Sequence, residues 1–370
     1  MSTICLILTA PTDFLRLFSI KKGDIIQKKD ICSFYDDEIR ALIAEWGEPS
    51  FRADQIIKWV RSGVGSFEDM NNLPKGLRQK LGEECYIAGV SAAKKLVSEI
   101  DGTVKYLYRL FDGEYIESVL MKYEHGYTVC VSTQAGCRMG CKFCASGLFG
   151  LSRNLTASEI LAQIQFASKD NEIRVSNVVM MGMGEPLDNF ENSIRFLKLV
   201  GDKNGLGIGY RHISLSTSGV VPKIKMLSQY NFPITLSVSL HAPNDEIRDR
   251  IMPVNKKWNI EKLLEACKEY QKATTRRISF EYALMDGLND TPECAKQLAV
   301  KLKGIMSHVN LIPANPVKEN SFKKPDSVKI NKFKAVLEEN GINATVRRTL
   351  GADINASCGQ LRKKEGDYIC

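Results

Sequence analysis

Apolar residues in the first hundred positions recur three and four apart. Ile39, Leu42, Ile43 and Trp46 follow an acidic start at Asp36 and Asp37, and Gly47 stands where a helix C-terminal cap belongs. After Pro49 a second stripe of Ile56, Ile57 and Val60 runs to Gly63, and a third short helix fits around Leu77 to Leu81. The pattern predicts a small helical module for packing or docking. From about Lys95 the period falls to two. Val97 to Ile100, Thr103 to Leu110, Tyr115 to Met121 and Tyr127 to Val131 read as strands, with hairpin signals at Asp101-Gly102 and Asp112-Gly113.

Beyond residue 131, short apolar runs alternate with helical stripes. The runs are Val175 to Met181, Ile213 to Thr217, Ile234 to Leu240, Ile278 to Ala283 and Val309 to Ile312. Thr156 followed by Glu159 is a capping box that opens one of the helices. Such repeated strand–helix units predict an α/β fold with a parallel sheet, either doubly wound or curled into a whole or partial barrel. In both architectures reacting groups gather at the C-terminal ends of the strands.

Length and charge refine this picture. With 370 residues, 44% of them apolar, the chain has material for a sizeable core. The only candidate targeting segment, Ile4 to Ala10, is too short to span a membrane and runs into Asp13 and Arg16, so it reads as part of an N-terminal extension and the expected location is cytoplasmic. The net charge is +8, yet residues 1–90 carry 12 basic and 13 acidic side chains, so the excess lies wholly in the rest. Arg211, Lys223, Lys225, Lys256, Lys257, Arg276, Arg277, Lys323, Lys324, Arg347, Arg348 and the Arg362-Lys363-Lys364 run all belong to that part, where they could neutralise phosphates or simply form a solvated face.

Eleven cysteines argue for a reduced compartment, because the number is odd and three of them crowd into Cys137-Arg-Met-Gly-Cys141-Lys-Phe-Cys144. Three thiolates on a loop that Gly140 helps to bend can converge on one metal centre. A structural zinc site closes with four ligands, and only Cys130 and His125 stand near as a fourth. A cubane iron–sulfur cluster held by three cysteines keeps one iron open for a small molecule. The loop carries the C-x-x-x-C-x-x-C signature of the radical S-adenosylmethionine (SAM) enzymes, with Phe143 before the last cysteine. The alternatives are three core thiols or a zinc knot closed by a distant residue. The strand ends agree with a SAM site: Met181-Gly-Met-Gly184-Glu185-Pro186, Ser216-Thr-Ser-Gly219, Ser239-Leu240-His241 and Asn315-Pro316 put glycines and small polar groups where ribose, carboxylate and adenine would be held.

With these stretches in place, the chain resembles the RlmN/Cfr family of radical SAM RNA methyltransferases from about Ser33 to Leu361. Further matches are Gly47-Glu-Pro-Ser-Phe-Arg-Ala53, Asn154-Leu-Thr156, Ser239-Leu-His-Ala-Pro243, Asn310-Leu-Ile-Pro313 and Ser357-Cys-Gly-Gln-Leu361. The resemblance implies a partial (β/α)6 barrel with β-strand extensions and a small N-terminal helical domain. It divides the chain into an extension (1–30), a helical accessory domain (31–92), a β-hairpin extension (93–127), the barrel (128–350) and a C-terminal loop (351–370). It implies one [4Fe-4S] cluster on Cys137, Cys141 and Cys144. SAM contacts fall on Gly184, Glu185, Ser216, Ser239, Leu240, His241 and Asn315.

The implied reaction methylates adenine C2, an electrophilic carbon without useful acidity, in 23S rRNA and in tRNA. Two SAM molecules are consumed per methylation. One methylates Cys358, and the other gives the radical that takes a hydrogen from that methyl group, so that the resulting carbon radical adds to the base. Cys130 then resolves the covalent adduct through a transient disulfide with Cys358, and Glu117 matches a residue assigned as a base. An external electron donor and a monomeric chain complete the expectation. Pro186 and Ser218 look like the branch that methylates C2; the resistance branch, which methylates C8, is the enzyme alternative, and an RNA-binding protein with structural zinc is the non-enzymatic one. Departures from the family pattern fall at Asn355, Ser357 and Ala314. Cys5, Cys32, Cys85, Cys267, Cys294 and Cys370 match no motif and read as structural, and His125 and His308 have no special claim.

Overall fold

A computed structural model describes residues 28–362 apart from 149, 316 and 318. The Ile4 to Ala10 stretch, Cys5, Pro316, Lys363, Lys364 and Cys370 lie outside the described residues.

The amphipathic stripes near the start fold as a separate small core. A two-residue strand β1 (Lys29–Asp30) pairs with β2 (Cys85–Tyr86), and between them run α1 (Asp36–Glu45), α2 (Ser50–Arg61) and α3 (Lys75–Glu84). Ile39, Leu42, Ile43, Ile56, Ile57, Val60, Leu77 and Leu81 are buried together, the face that the spacing three and four apart predicts. This module docks on the larger domain through polar contacts. Asp30 Oδ2 accepts from Ser158 Oγ at 2.6 Å, and Arg195 donates to Ser33 O and ion-pairs with Glu38.

The rest is one ten-stranded sheet with helices packed on it. Strands β3 (Ser91–Val97), β4 (Val104–Arg109), β5 (Tyr115–Tyr123) and β6 (Gly126–Cys130) form an antiparallel meander. A hairpin of β7 (Gln134–Gly136) and β8 (Leu151–Asn154) follows. The chain then continues through α4 (Ala157–Asp170), β9 (Val175–Met180), α5 (Phe190–Val200), β10 (Ile213–Thr217), α6 (Val221–Ser228), β11 (Thr235–Ser239), α7 (Asp245–Ile251), α8 (Ile260–Thr274), β12 (Ile278–Leu284), α9 (Pro292–Leu302), β13 (Ser307–Pro313), α10 (Ser327–Glu339) and β14 (Ala344–Val346). The spatial order β14-β13-β12-β11-β10-β9-β6 follows the chain without reversal, and every neighbouring pair in it is parallel. A doubly wound sheet would reverse its order part-way; this one winds in a single direction and stays open, giving six parallel strands of a partial barrel and a short seventh, β14, at its edge. The strands β3–β5 extend the same sheet beyond β6.

Local chemistry explains the boundaries. Thr156 Oγ1 accepts from Glu159 N while Glu159 accepts from Thr156 N, closing the expected box, and Ile160, Leu161, Ile164 and Ala167 of α4 are buried. The strand expected at Val97 to Ile100 instead ends at Val97. Ser98 Oγ accepts from the amides of Ile100 and Asp101 and converts that stretch into the turn, while a bulge at Ala92 to Lys94 masks the alternation of the true strand.

Candidate active site

The three clustered cysteines sit on the loop joining β7 to β8. Its base is pinched: Gly136 has φ +83°, and a Cβ there would lie 2.0 Å from Gly150 O, so only glycine fits. The loop is tied outward by Lys142 N donating to Ile251 O and by Ala145 N donating to Gly359 O at 2.8 Å. Met139, Cys141 and Phe143 pack against an apolar cluster that includes Ile251, Met252 and Met285. Burial pushes the Cys137 thiol up to about 12 and raises Cys141 and Cys144 as well, and the facing thiols add to the effect on Cys137 and Cys141.

Just inside this loop, the strand ends line a half-open cavity of about 740 Å³, its open mouth included, with Phe143, Cys144, Ser216, Ser239, His241, Glu281, Asn315, Arg347 and Cys358 on its walls. Four of the seven residues assigned to SAM are therefore on one wall system. His241 has φ +56°, and its Nδ1 accepts from Ala283 N at 2.9 Å, which leaves the ring proton on Nε2. Burial, aided by the charge of Arg248, holds its pKa down to about 3, so the ring is a neutral donor. The Phe143 ring meets it edge-on, with centroids 4.9 Å apart.

The other three assigned residues do not line the cavity. Glu185 is buried, its carboxylate accepting from Leu187 N at 3.0 Å and Ser218 N at 2.6 Å, so it stitches the β9 and β10 ends together. Gly184, at φ +99°, lets the turn approach Gln134, whose Cβ would be 2.6 Å from an added methyl. Leu240 is a core residue whose carbonyl accepts from Arg248 Nε. Asn315 lines the cavity but spends an amide hydrogen on Cys358 O at 3.0 Å.

A second cavity, about 540 Å³, adjoins the first. Cys130, Met121, Tyr123 and Ser357 line it, and Cys358, Arg347, Met181, Ile312 and Asn315 line both. Cys358 is thus in the partition. Burial pushes Cys130 up to about 12, Cys358 adding to the effect and Arg347 opposing it. Cys130 and Cys358 are free thiols, and no disulfide links any described cysteines, so the implied pairing is not a standing crosslink.

Glu117 is fully buried and borders neither cavity. Its Oε1 lies 3.0 Å from Lys105 Nζ, and its Oε2 accepts from Arg362 N at 2.6 Å. Burial raises its pKa, with Lys105 opposing. Two site residues escaped the sequence reading. Glu281, which accepts from Ser279 and Asn310, is a carboxylate within an otherwise apolar run, a detectable signal. Arg347 reads in sequence as one more cation for phosphate. Here it faces the partition, its amide donating to Leu311 O and its Nη1 to Met181 Sδ.

Comparison with known proteins decides the family. Residues 131–297 match the model of the radical SAM superfamily, and residues 29–87 match the ribosomal RNA large subunit methyltransferase N-terminal domain. A relative from Alkaliphilus oremlandii (strain OhILAs), named "Probable dual-specificity RNA methyltransferase RlmN", is 52% identical over 339 residues, covering 92% of this chain and 99% of its own. The chain belongs to the RlmN family. A second RlmN relative, from Clostridioides difficile (strain 630), is 51% identical over 341 residues, 92% of this chain and 99% of its own. The crystal structure of a radical SAM methyltransferase from Sphaerobacter thermophilus superposes with a TM-score of 0.86 at 42% identity, covering 90% of this chain and 99% of that one.

A radical SAM enzyme of the RlmN family implies a [4Fe-4S] cluster and SAM. The donor set fits. Cys137, Cys141 and Cys144 are free thiols on one loop, and each could bind a different iron of a cubane, leaving the fourth iron open. Among the described residues no helix is long and apolar enough to cross a membrane.

Proposed function

We propose that this chain methylates C2 of adenine in 23S rRNA and in tRNA, carrying the methyl group on Cys358. The observation that carries the reading is the partition: Cys358 lines both the cavity beside the cysteine loop and the cavity of Cys130. Cys137, Cys141 and Cys144 would hold the cluster, and Ser216, Ser239, His241 and Asn315 would contact SAM. When bound, these groups supply a transferable methyl and one-electron chemistry able to activate a C–H bond, with two SAM molecules consumed per methylation.

The chain's own residues do the rest. The neutral His241 ring offers an Nε2–H donor without a competing charge. The Arg347 guanidinium is held charged chiefly by its interaction with Cys358, so a cation stands beside the residue that would accept the methyl group. Cys358 then presents the carbon to the base in the second cavity. Cys130 takes the C2 proton while the odd electron of the adduct passes to the one-electron centre that the cluster would supply; its sulfur then attacks the Cys358 sulfur, the S–CH2 bond breaks with its electron pair and a proton going to the product methyl, and an external reductant reopens the disulfide. The base must leave its stack for C2 to reach Cys358 at the strand ends, so a loop or single-stranded adenosine is the substrate form. The same reading gives a monomer working in the cytoplasm with an external electron donor.

Nucleoside mass analysis of RNA from cells lacking the gene tests this reading. Loss of 2-methyladenosine from both RNAs is expected; loss of 8-methyladenosine instead would transfer the chain to the C8 branch. Purified protein should be brown and contain iron and sulfide, whereas colourless protein with one zinc contradicts the proposal.

A further inference from the structure

The segment bearing Cys358 is held at both ends by one buried ion pair. Lys105 on β4 and Glu117 on β5 are diagonal neighbours on one sheet face, because Lys105 pairs with Val119 and Leu107 with Glu117. Their side chains are 5% and 0% exposed. Lys105 Nζ donates to Asn355 O at 3.1 Å, where the backbone turns left-handed, and Glu117 Oε2 accepts from Arg362 N at 2.6 Å. Cys358 lies midway between these anchors. The cysteine loop grips the same segment through Ala145 N to Gly359 O and Ser146 Oγ to Leu361 O.

A buried ion pair seldom adds net stability, since desolvation offsets attraction; what it supplies is a fixed geometry. Neither residue lines either of these two cavities, whereas both touch the segment that carries Cys358. We propose that Lys105 and Glu117 are a positioning pair that fixes the Cys358 sulfur in the partition, where it can be methylated from one cavity and deliver into the other. Glu117 then acts through the loop and not as the base of the reaction. The proposal rests on Cys358 as the methyl carrier, and the test separates the two.

Wild type, Glu117→Gln and the double variant Lys105→Met/Glu117→Gln are purified with their cluster. Three quantities are read: the fraction of Cys358 carrying a methyl group, the methyl transferred to RNA, and amide exchange of residues 356–361. Glu117→Gln leaves the Lys105 cation without its carboxylate. Misplacement of a reacting atom by an ångström costs about 100-fold, so Cys358 methylation and RNA methylation should fall together by about that factor. Exchange in 356–361 should rise by about tenfold or more, while iron content and the circular dichroism spectrum stay unchanged. The double variant also removes the Lys105 donor to Asn355 O, the second anchor, so exchange in 356–361 should rise further and neither methylation should recover.

A base at residue 117 predicts the opposite: full Cys358 methylation in Glu117→Gln, an accumulating protein–RNA adduct and unchanged exchange. That result overturns the proposal. If Glu117→Gln loses its iron or its fold, exchange and methyl occupancy in the double variant decide; a double variant with wild-type exchange but without methyl on Cys358 also overturns it. Wild-type protein with no methyl on Cys358, but with exchange that responds to Glu117→Gln, would sink the carrier reading and leave the clamp standing.

Discussion

Arg248 offers a sharp test of how the strand ends are held. It is fully buried, and its guanidinium donates to Leu240 O at 3.0 Å, Ser218 O at 2.7 Å, Ser239 O at 3.1 Å and Asn255 Oδ1 at 2.9 Å. Replacement by Met fills much of the space but strands three buried carbonyls and an amide oxygen. At about 2 kcal/mol for each hydrogen bond to a charged donor, the loss is roughly 8 kcal/mol. Part of it returns, because burial holds the guanidinium near 10 instead of 12.5, a cost of roughly 3 kcal/mol that the variant no longer bears. The net destabilisation expected for Arg248→Met is about 5 kcal/mol. Arg248→Lys, with three donors on one nitrogen, should recover about half of that. Urea unfolding followed by far-ultraviolet circular dichroism measures both, and SAM affinity should fall in the same order because Ser239 and His241 sit on the braced ends. An Arg248→Met protein within about 1 kcal/mol of wild type would refute the reasoning.

Other perturbations follow from the same contacts. Gly184→Ala should cost about 3 kcal/mol in urea unfolding, combining a left-handed backbone with a 2.6 Å clash at Gln134; a loss below about 1 kcal/mol would contradict the close approach. The depressed pKa of His241, from 6.5 to about 3, means that only the unfolded chain takes up this proton between those values. Its contribution to stability is therefore present above about pH 6.5 and is lost on acidification, by at most about 1.4 kcal/mol per pH unit, down to about pH 3. His241→Asn, which keeps an acceptor for Ala283 N and tolerates the left-handed backbone, should show a flatter stability profile between pH 6.5 and 4; an identical slope in both proteins would contradict the burial argument. Cys130→Ala should accumulate a covalent protein–RNA adduct through Cys358, visible as a shifted band on a denaturing gel, and normal turnover by that variant would remove Cys130 from the mechanism.

How much of this was legible beforehand follows the range of the interactions. Helix starts such as Asp36 and the Thr156–Glu159 box depend on residues a few positions apart, so they appear in the sequence as they do in the fold. The direction of sheet winding is non-local: the alternation of strands and helices left a doubly wound sheet and a barrel both open, and only the unreversed strand order separates them. The cysteine loop was legible for the first reason, because its three thiols lie within eight residues. Glu185 and Asn315 stand after strands, a local signal, but what holds them there is non-local: hydrogen bonds link them to Ser218 N and Cys358 O, 33 and 43 residues away. Arg347 and the Lys105–Glu117 pair escaped for the same reason, since their roles come from sheet register and from a C-terminal segment more than 200 residues beyond β4 and β5.

The most direct test of the central claim uses SAM with a fully deuterated methyl group. Enzyme whose Cys358 has been methylated from that donor is turned over once with RNA, and the product nucleoside is weighed. A carrier that loses one hydrogen isotope from its methyl before the carbon joins the base leaves two deuterons in the 2-methyladenosine. Transfer of an intact methyl group, with all three deuterons, would contradict the account.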